Sequence, residues 1–396
     1  MRCSGRNVST NELATVVAAS GVIERVEPVL GGTGDRGEWL APGFIDLQVN
    51  GFAGVDYNSP SAPQEEIERS IRALFSTGVT RFLPTVITGA PDSMLGALRN
   101  LARARAAGGV MRAIEGFHVE GPHISPEDGP RGAHPKRWVR PPDLDEYRRW
   151  QDSTDGAVKL VTLAPEWPAA PRYIEHLAND GVVTSIGHTR ATTRQIQDAV
   201  SAGATLSTHL GNGADSMLPR HPNYIWDQLA EDRLAASFIA DGVHLPDAFL
   251  KSAVRAKGIE RSILVTDAVM PALCAPGPYM LGEVEVELRD DQRVVLRGGT
   301  RLAGSSLRMD RAIGNMMRIC GIGLIEAVTM ATANPARVGR VGGRKRGLNP
   351  GERADVVKFR VDAGQLRILE TYLGGERYWV AEADARRTAV PPDMLA

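Results

Sequence analysis

The sequence has few cysteines and no excess of charge of either sign. Its three cysteines, Cys3, Cys274 and Cys320, are widely spaced and form no CxxC pair, so neither a disulfide framework nor a cysteine zinc site is expected. The 46 basic and 47 acidic residues leave a formal net charge of −1. Because proteins that bind nucleic acids or anionic membranes usually carry a basic excess or a basic stripe, we expect neither kind of partner.

Long hydrophobic runs are also missing. No window approaches the roughly 18 consecutive apolar residues of a membrane-spanning helix. The apolar stretch at 13–23 lacks a basic leader and a small-residue cleavage site, so it is not typical of a signal peptide. We therefore predict a cytoplasmic protein with reduced thiols. The composition, 43% hydrophobic and 23% charged over 396 residues, is that of a globular protein with a large core.

Short apolar runs rich in Val, Ile, Leu and Thr alternate with longer segments of helical spacing. Eight runs predict strands, at 41–49, 80–86, 112–119, 158–164, 182–186, 205–208, 235–240 and 262–266. The helical segments between them lie at 65–77, 92–107, 171–180, 193–202 and 246–257. Eight strands that alternate with helices favour an α/β fold, a (β/α)8 TIM-like barrel.

The two ends of the chain have a different pattern, with strand-like runs separated by turn residues. Residues 1–40 and 349–396 are each too short to bury a core. We predict that they pair as one small β-sandwich domain, and that the barrel occupies residues 41–348. Alternating residues at 280–302 predict a hairpin inserted after the eighth strand, followed by a helix at 306–320.

Side chains that suit metal binding and acid–base chemistry are concentrated where the predicted strands end. Each of five such residues lies at or just beyond the C-terminal end of a strand: Glu120, His188, His209, His244 and Asp267. In a barrel of this type those ends converge on one mouth, where active sites are built. A glutamate and two histidines suit a divalent ion such as zinc. The alternative is that each is an ordinary hydrogen-bonded polar residue, because no short ligand motif relates them.

Several short motifs occur in a fixed order along residues 41 to about 355. They are APGFIDLQVNG at 41–51, HVEGP at 118–122, GAHP at 132–135, GHT at 187–189, THL at 208–210, DGVH at 241–244, VTDA at 265–268, LAGS at 302–305 and LNPGERAD at 348–355. The first and last resemble signatures of the amidohydrolase superfamily. The others are similar to the N-acetylglucosamine-6-phosphate deacetylases within that superfamily.

The resemblance implies a site for one divalent metal ion. Many relatives hold two metals with a His-x-His pair on the first strand and a carboxylated lysine on the fourth. Here Gln48 and Asn50 occupy the pair, and no lysine lies near the end of the fourth predicted strand. The resemblance therefore implies one ion, zinc or else iron or another divalent transition metal, held by Glu120, His188 and His209. Asp267 would be the catalytic acid/base.

The resemblance also implies which residues contact the substrate. They are His134, Asn212, Gly213, Arg220 and His244. Arg220 suits a phosphate because its guanidinium is a fixed fork of donors, and in relatives this arginine can come from the neighbouring subunit of a homodimer. The loop departs from the family at Gly211, where an aromatic residue is usual, and at Asp215, which would repel a phosphate in the pocket.

Three functions are consistent with these observations, two of them enzymatic and one of them not. The first is metal-dependent hydrolysis of the acetamide of an N-acetyl amino sugar, in particular N-acetylglucosamine 6-phosphate, to the free amine and acetate. The second is the same chemistry on another, unphosphorylated acetamido sugar or related N-acyl metabolite, because the loop at 211–217 departs from the family. The third is a non-catalytic binding module, against which the presence of Glu120, His188, His209 and Asp267 argues.

Overall fold

The computed structural model describes residues 1–29, 37–282, 284–342 and 347–382. Its strands are β1 (Arg2–Asn7), β2 (Leu13–Ala19), β3 (Val22–Pro28), β4 (Glu38–Pro42), β5 (Phe44–Val49), β6 (Gly51–Phe52), β7 (Val55–Asp56), β8 (Val79–Ile87), β9 (Phe117–Glu120), β10 (Val158–Leu163), β11 (Val183–Ile186), β12 (Ala204–Ser207), β13 (Ala235–Phe238), β14 (Ser262–Leu264), β15 (Gly277–Leu281), β16 (Val284–Leu288), β17 (Val294–Leu296), β18 (Val356–Asp362), β19 (Gln365–Leu373) and β20 (Glu376–Val380). Its α-helices are α1 (Gln64–Phe75), α2 (Pro91–Ala106), α3 (Leu144–Ser153), α4 (Ala170–Asn179), α5 (Thr193–Ala202), α6 (Tyr224–Ala230), α7 (Asp247–Lys257), α8 (Met309–Cys320), α9 (Leu324–Thr329) and α10 (Ala333–Val338). None of these helices is long and apolar enough to cross a membrane.

Eight strands form one parallel sheet, and the predicted barrel is confirmed. The strand order is β14-β13-β12-β11-β10-β9-β8-β5, which is sequence order. The two outer strands of this order meet just beyond β14: the amide of Asp267 donates to the carbonyl of Gln48 (3.0 Å), and the amide of Asn50 donates to the carbonyl of Ala268 (2.7 Å). These bonds nearly close the sheet and bring its first and last strands to one mouth.

Helices form where apolar residues recur with helical spacing. In α1, Ile67, Ile71 and Leu74 are buried on one face, as the spacing predicts. Helix α5 begins with a capping box, in which Thr192 and Gln195 satisfy each other's backbone amides, a strong start signal.

The structure differs from the sequence prediction at the start of the third barrel strand and in several helices. Residues Gly109–Ala113 form a 3-10 helix, and the third barrel strand begins only at Phe117. Gly108 and Gly109 have φ values of 72° and 58°, so the chain turns there instead of extending. Helices α3, α6, α9 and α10 were not predicted, because half of the residues of α3 are charged and the other three helices have only six or seven residues each.

The two ends of the chain meet in a separate seven-stranded sheet. Its strand order is β20-β19-β18-β4-β1-β2-β3. A three-stranded antiparallel sheet, β15-β16-β17, stands where the hairpin was predicted. The division of the chain into domains at residues 40 and 349 stays a prediction, and parts of the predicted small domain, residues 30–36 and 383–396, lie outside the described residues.

A buried ion pair joins the barrel to the segment that leads into the seven-stranded sheet. Arg81, on β8, donates from Nε to Asp355 Oδ2 at 2.6 Å, and the two side chains are 2% and 0% exposed. The other oxygen of Asp355 accepts from Arg353 Nε (2.9 Å) and from the amide of Gly374 (2.8 Å). A charge so deeply buried is tolerated only when it is paired, so each partner depends on the other.

We expect Asp355→Ala to lower the free energy of unfolding by roughly 3–5 kcal/mol, because the buried Arg81 then keeps only the longer contact with Glu115 (3.7 Å) among the described carboxylates. Urea denaturation measures this change. The matched control is Asp362→Ala, an exposed acid at the end of β18, the strand that follows Asp355, which should change stability by no more than about 0.5 kcal/mol. Equal, small losses in both variants would contradict the role of the buried pair.

Candidate active site

The carboxylate of Glu120, the last residue of β9, is buried and joins three other side chains. Its Oε1 lies 3.1 Å from His188 Nε2 and 2.9 Å from His209 Nε2, and it accepts a hydrogen bond from Gln48 Nε2 (2.9 Å). Burial alone would raise the pKa of Glu120, but the contacts with the two histidines outweigh it and hold the pKa well below its usual range. Three side chains that the sequence analysis assigned to a metal are thus in contact.

The backbone turns sharply at three of the predicted site residues. His188, His209 and Asp267 have φ values of 51°, 29° and 50°, in the left-handed region that non-glycine residues rarely adopt. Each follows the last residue of its strand, β11, β12 or β14, by two or three positions. Such strain costs about 1–3 kcal/mol per residue and is typical of functional sites.

The second ring nitrogen, Nδ1, has different surroundings in the two histidines. His188 Nδ1 bonds the carbonyl of Pro130 (2.8 Å), which makes Nδ1 the donor and leaves the lone pair of Nε2 for a ligand. His209 Nδ1 is buried without a hydrogen-bond partner in the part of the chain that the structure describes. Burial alone would lower the pKa of His209, but its bond to Glu120 and the charge of Glu120 raise it.

A third histidine, His134, lies against the same cluster. Its ring centroid is 4.5 Å from that of His188, and the ring of His209 lies 4.8 Å from His188 on a perpendicular plane. Candidate ligand atoms of Glu120, His134 and His188 all lie within 4.8 Å of one another. Burial, with the charge of His188, lowers the pKa of His134 to about 3, so this imidazole is neutral, while its Nδ1 bonds Thr88 Oγ1 (2.8 Å).

Asp267 lies beside the cluster and is held by two amide side chains. Its Oδ1 accepts from Asn50 Nδ2 (2.6 Å) and from Gln48 Nε2 (3.1 Å). Burial, together with the charge of Glu120, raises the pKa of Asp267 to about 6. In the sequence Gln48 and Asn50 were interpreted only as poor metal ligands, whereas here Gln48 links the two carboxylates and Asn50 bonds Asp267.

A cavity of about 1080 Å³ opens over these residues. Eight of the nine predicted site residues line it: Glu120, His134, His188, His209, Asn212, Gly213, His244 and Asp267. Arg220 is the exception, because its side chain is exposed and does not line the cavity of this chain. Four cations also line the cavity and were not predicted as site residues: Arg131, Lys136, Arg137 and Arg301. The only indication of them in the sequence is that they lie next to the motifs GAHP and LAGS.

The glycines of the loop after β12 have no room for a side chain. A Cβ on Gly211 would lie 2.7 Å from atoms of Leu245 and Phe249, and one on Gly213 would lie 2.6 Å from His188 Nδ1. The aromatic residue that is usual at position 211 is therefore sterically excluded here, since the Phe249 ring occupies that space.

Two acids near the mouth are paired. Asp215, which the sequence analysis expected to repel a phosphate, accepts from Arg190 Nε (3.0 Å) and Tyr224 Oη (3.1 Å) and does not line the cavity. Asp241 Oδ2 pairs with His244 Nδ1 at 2.6 Å. Burial alone would raise the pKa of Asp241, but this contact with His244 lowers it. The pair leaves the other nitrogen of His244 available to a ligand.

A barrel with an acid and histidines at its mouth is the architecture of metal-dependent hydrolases. The sequence matches the amidohydrolase family over residues 39–377, and the chain belongs to that family, whose hydrolases depend on metal ions. The resemblance seen in the sequence is thereby confirmed.

Individual relatives carry more specific names. The chain is 34% identical to N-acetylglucosamine-6-phosphate deacetylase of Bacillus subtilis (strain 168) over 80% of each chain. It is also 34% identical to N-acetylgalactosamine-6-phosphate deacetylase of Escherichia coli O157:H7, over 90% of this chain and 93% of the relative. The crystal structure of N-acetyl-D-glucosamine-6-phosphate deacetylase from Mycobacterium smegmatis is similar, with a TM-score of 0.85 and 30% identity over 95% of this chain and 99% of that one.

We expect Gly213→Ala to weaken binding of a divalent ion by about 10- to 100-fold, the usual cost of displacing a residue that orients a ligand, because the new methyl group would push against His188. Competition with a chelator measures the affinity. The control is Gly321→Ala, at a glycine with a similar left-handed φ of 68° and open space around it, which should leave affinity unchanged. Equal affinities in the two variants would contradict this role of Gly213.

Proposed function

We propose that this enzyme removes the acetyl group from an N-acetylated amino sugar and releases acetate and the free amine. The first candidate substrate is N-acetylglucosamine 6-phosphate. The observation that carries the proposal is the contact of Glu120 with His188 and His209 beside the buried carboxyl of Asp267. The names of relatives at 34% identity support a phosphorylated acetamido sugar as the substrate.

A second candidate is the epimeric sugar, N-acetylgalactosamine 6-phosphate. The relative of that name is as similar to this chain as the glucosamine relative, and over a larger share of it. The loop at Gly211, which the Phe249 ring keeps free of a side chain, is a further reason to test both sugars. An unphosphorylated acetamido sugar or related N-acyl metabolite is the remaining alternative.

The residues present fit one divalent ion. Two imidazole nitrogens lie within 3.1 Å of one carboxylate oxygen in a buried site, and this donor set suits zinc, with iron or another divalent transition metal as alternatives. In our proposal Glu120, His188 and His209 hold the ion, since both histidines contact the same oxygen. Gln48 and Asn50 bond Asp267 with their amides, which favours a single ion.

When bound, the ion polarises the acetamide oxygen and makes water a better nucleophile. Asp267 takes the proton of the attacking water and returns it to the nitrogen of the departing amine. Both amide contacts use Oδ1, so Oδ2 is the oxygen that carries the proton. The raised pKa of Asp267, about 6, brings this carboxyl closer to the pH at which a group serves as both base and acid.

Other residues at the mouth orient the sugar. His134 is neutral and donates a hydrogen bond to the acetamide oxygen. Asn212 and Gly213 bind the sugar from the loop after β12, and His244, oriented by Asp241, binds a hydroxyl or phosphate group. All four line the cavity, which supports these roles.

Arg220 completes the site from a second copy of the chain. Its side chain is exposed and away from this chain's own cavity, as expected of a residue that acts on a neighbour. We propose a homodimer in which each Arg220 grips the phosphate in the opposite site. The three free cysteines support a cytoplasmic location for this enzyme.

We expect Asp267→Asn to lower kcat by about 10²- to 10⁴-fold, the usual contribution of a general acid/base, and still to bind one ion per chain. Acetate release and elemental analysis measure the two quantities. Asp247→Asn, at an exposed acid at the start of α7, should retain full turnover. Turnover of Asp267→Asn within a few-fold of the wild type would remove this residue from the reaction, and two ions about 3.5 Å apart would refute the single-metal site.

We expect Arg220→Ala to raise KM for the phosphorylated sugar by roughly 10- to 100-fold with little change in kcat, because a phosphate far from the acetamide is bound equally in the ground and transition states. Arg194→Ala, at an exposed arginine on α5, is the control. Mixing equal amounts of Arg220→Ala and Asp267→Asn chains should restore the wild-type KM at about one site in four, since a twofold dimer of the two kinds of chain has one site with both intact residues. No restoration would show that Arg220 does not act across an interface.

A further inference from the structure

Three cations form a rim on one side of the cavity. Arg131 and Lys136 lie on the loop that follows β9, and Arg301 follows β17. All three line the cavity, and Arg301 Nη2 donates to the carbonyl of Gly132 at 2.6 Å, which joins the two segments. We call Arg131, Lys136 and Arg301 the cationic rim.

The rim carries more positive charge than its acid neighbour neutralises. Asp128 pairs with Arg131, and the charges of Arg131, Lys136 and Arg301 together lower the pKa of this carboxyl. The other acid of this loop, Glu127, faces Arg190 instead (3.6 Å). Together with Asp128, the cationic rim therefore has one carboxylate for three cations, an excess of two positive charges. Arg137, the fourth cation that lines the cavity, lies over the Trp138 ring (5.4 Å).

One donor of the rim has no partner. Arg131 Nη1 donates to the carbonyl of His134 (2.7 Å), but its Nε is buried and makes no hydrogen bond within the described ranges. A buried donor left unsatisfied costs about 1–3 kcal/mol, and a ligand oxygen would remove that cost. Through the bond to His134, the rim is also tied to the residues around Glu120.

We propose that the cationic rim binds the phosphate of the substrate from within the same chain, in addition to Arg220 of a second copy. The inference rests on the proposed function and names the residues that select the phosphorylated sugar. A phosphate monoester carries between one and two negative charges near neutral pH, which matches the excess on the rim. Guanidinium groups suit phosphate oxygens because their donors form a planar fork. Among the described residues, the cationic side chains that line the cavity all belong to these two segments.

The test compares kcat/KM for N-acetylglucosamine 6-phosphate with kcat/KM for N-acetylglucosamine in single variants. Lys136→Glu reverses a charge on an exposed side chain, so it should leave the fold intact, and Lys136→Arg keeps the charge. Arg301→Gln removes the second charge. The matched control is Arg297→Ala, an exposed arginine on the same three-stranded insert that does not line the cavity.

We expect the preference for the phosphorylated sugar to fall about ten-fold in Lys136→Glu and about three- to ten-fold in Arg301→Gln, through KM. Lys136→Arg and Arg297→Ala should keep the wild-type preference, and the free sugar should be hydrolysed equally by all variants. An unchanged preference in both rim variants would overturn the proposal while leaving the deacetylase function intact. A wild type that prefers the free sugar would refute both the rim and the phosphorylated substrate, whereas hydrolysis of neither sugar would refute the proposed function itself.

Discussion

The arrangement at the barrel mouth depends on one oxygen atom, Oε1 of Glu120. Three side-chain nitrogens from three other strands meet it, from Gln48, His188 and His209. A buried carboxylate is stable only if its charge is compensated, so these contacts hold the mouth ends of the four strands together. Gln48 also donates a hydrogen bond to Asp267. The positions of the candidate ligands and of the candidate acid/base therefore depend on one another.

The loop after β9 orients the same cluster from outside the barrel. Its Pro130 carbonyl fixes the tautomer of His188, and its Gly132 carbonyl receives Arg301 from the three-stranded insert. His134, on the same loop, contacts His188 and is anchored by Thr88. One backbone segment thus links the histidine that would bind a metal with the wall of the cavity where a substrate enters.

Much of the architecture could be predicted from the sequence, because the period of the hydrophobic residues, the number of strands and the residues at the strand ends all follow from local sequence patterns. Eight strands were expected and found, and Glu120, His188 and Asp267 come together as their positions after strands imply. What could not be predicted depends on non-local geometry. The left-handed backbone at His188 leaves no local signature, and the amides of Gln48 and Asn50 find Asp267 only when the barrel closes. The cations Lys136 and Arg301 look like ordinary surface charges until the fold places both at one cavity.

Closure of the barrel also determines at which stage of synthesis and folding the site becomes complete. The bonds from Gln48 and Asn50 to Asp267 span 219 and 217 positions, more than half the length of the chain. Glu120, His188 and His209 leave the ribosome before Asp267 does, since synthesis proceeds from the N-terminus. The last barrel strand must dock before Asp267 meets its partners, and such non-local pairing is slow. In our proposal a nascent chain therefore acquires the residues that would hold an ion before the carboxyl that would move the proton, and hydrolysis would report that the final strand has docked.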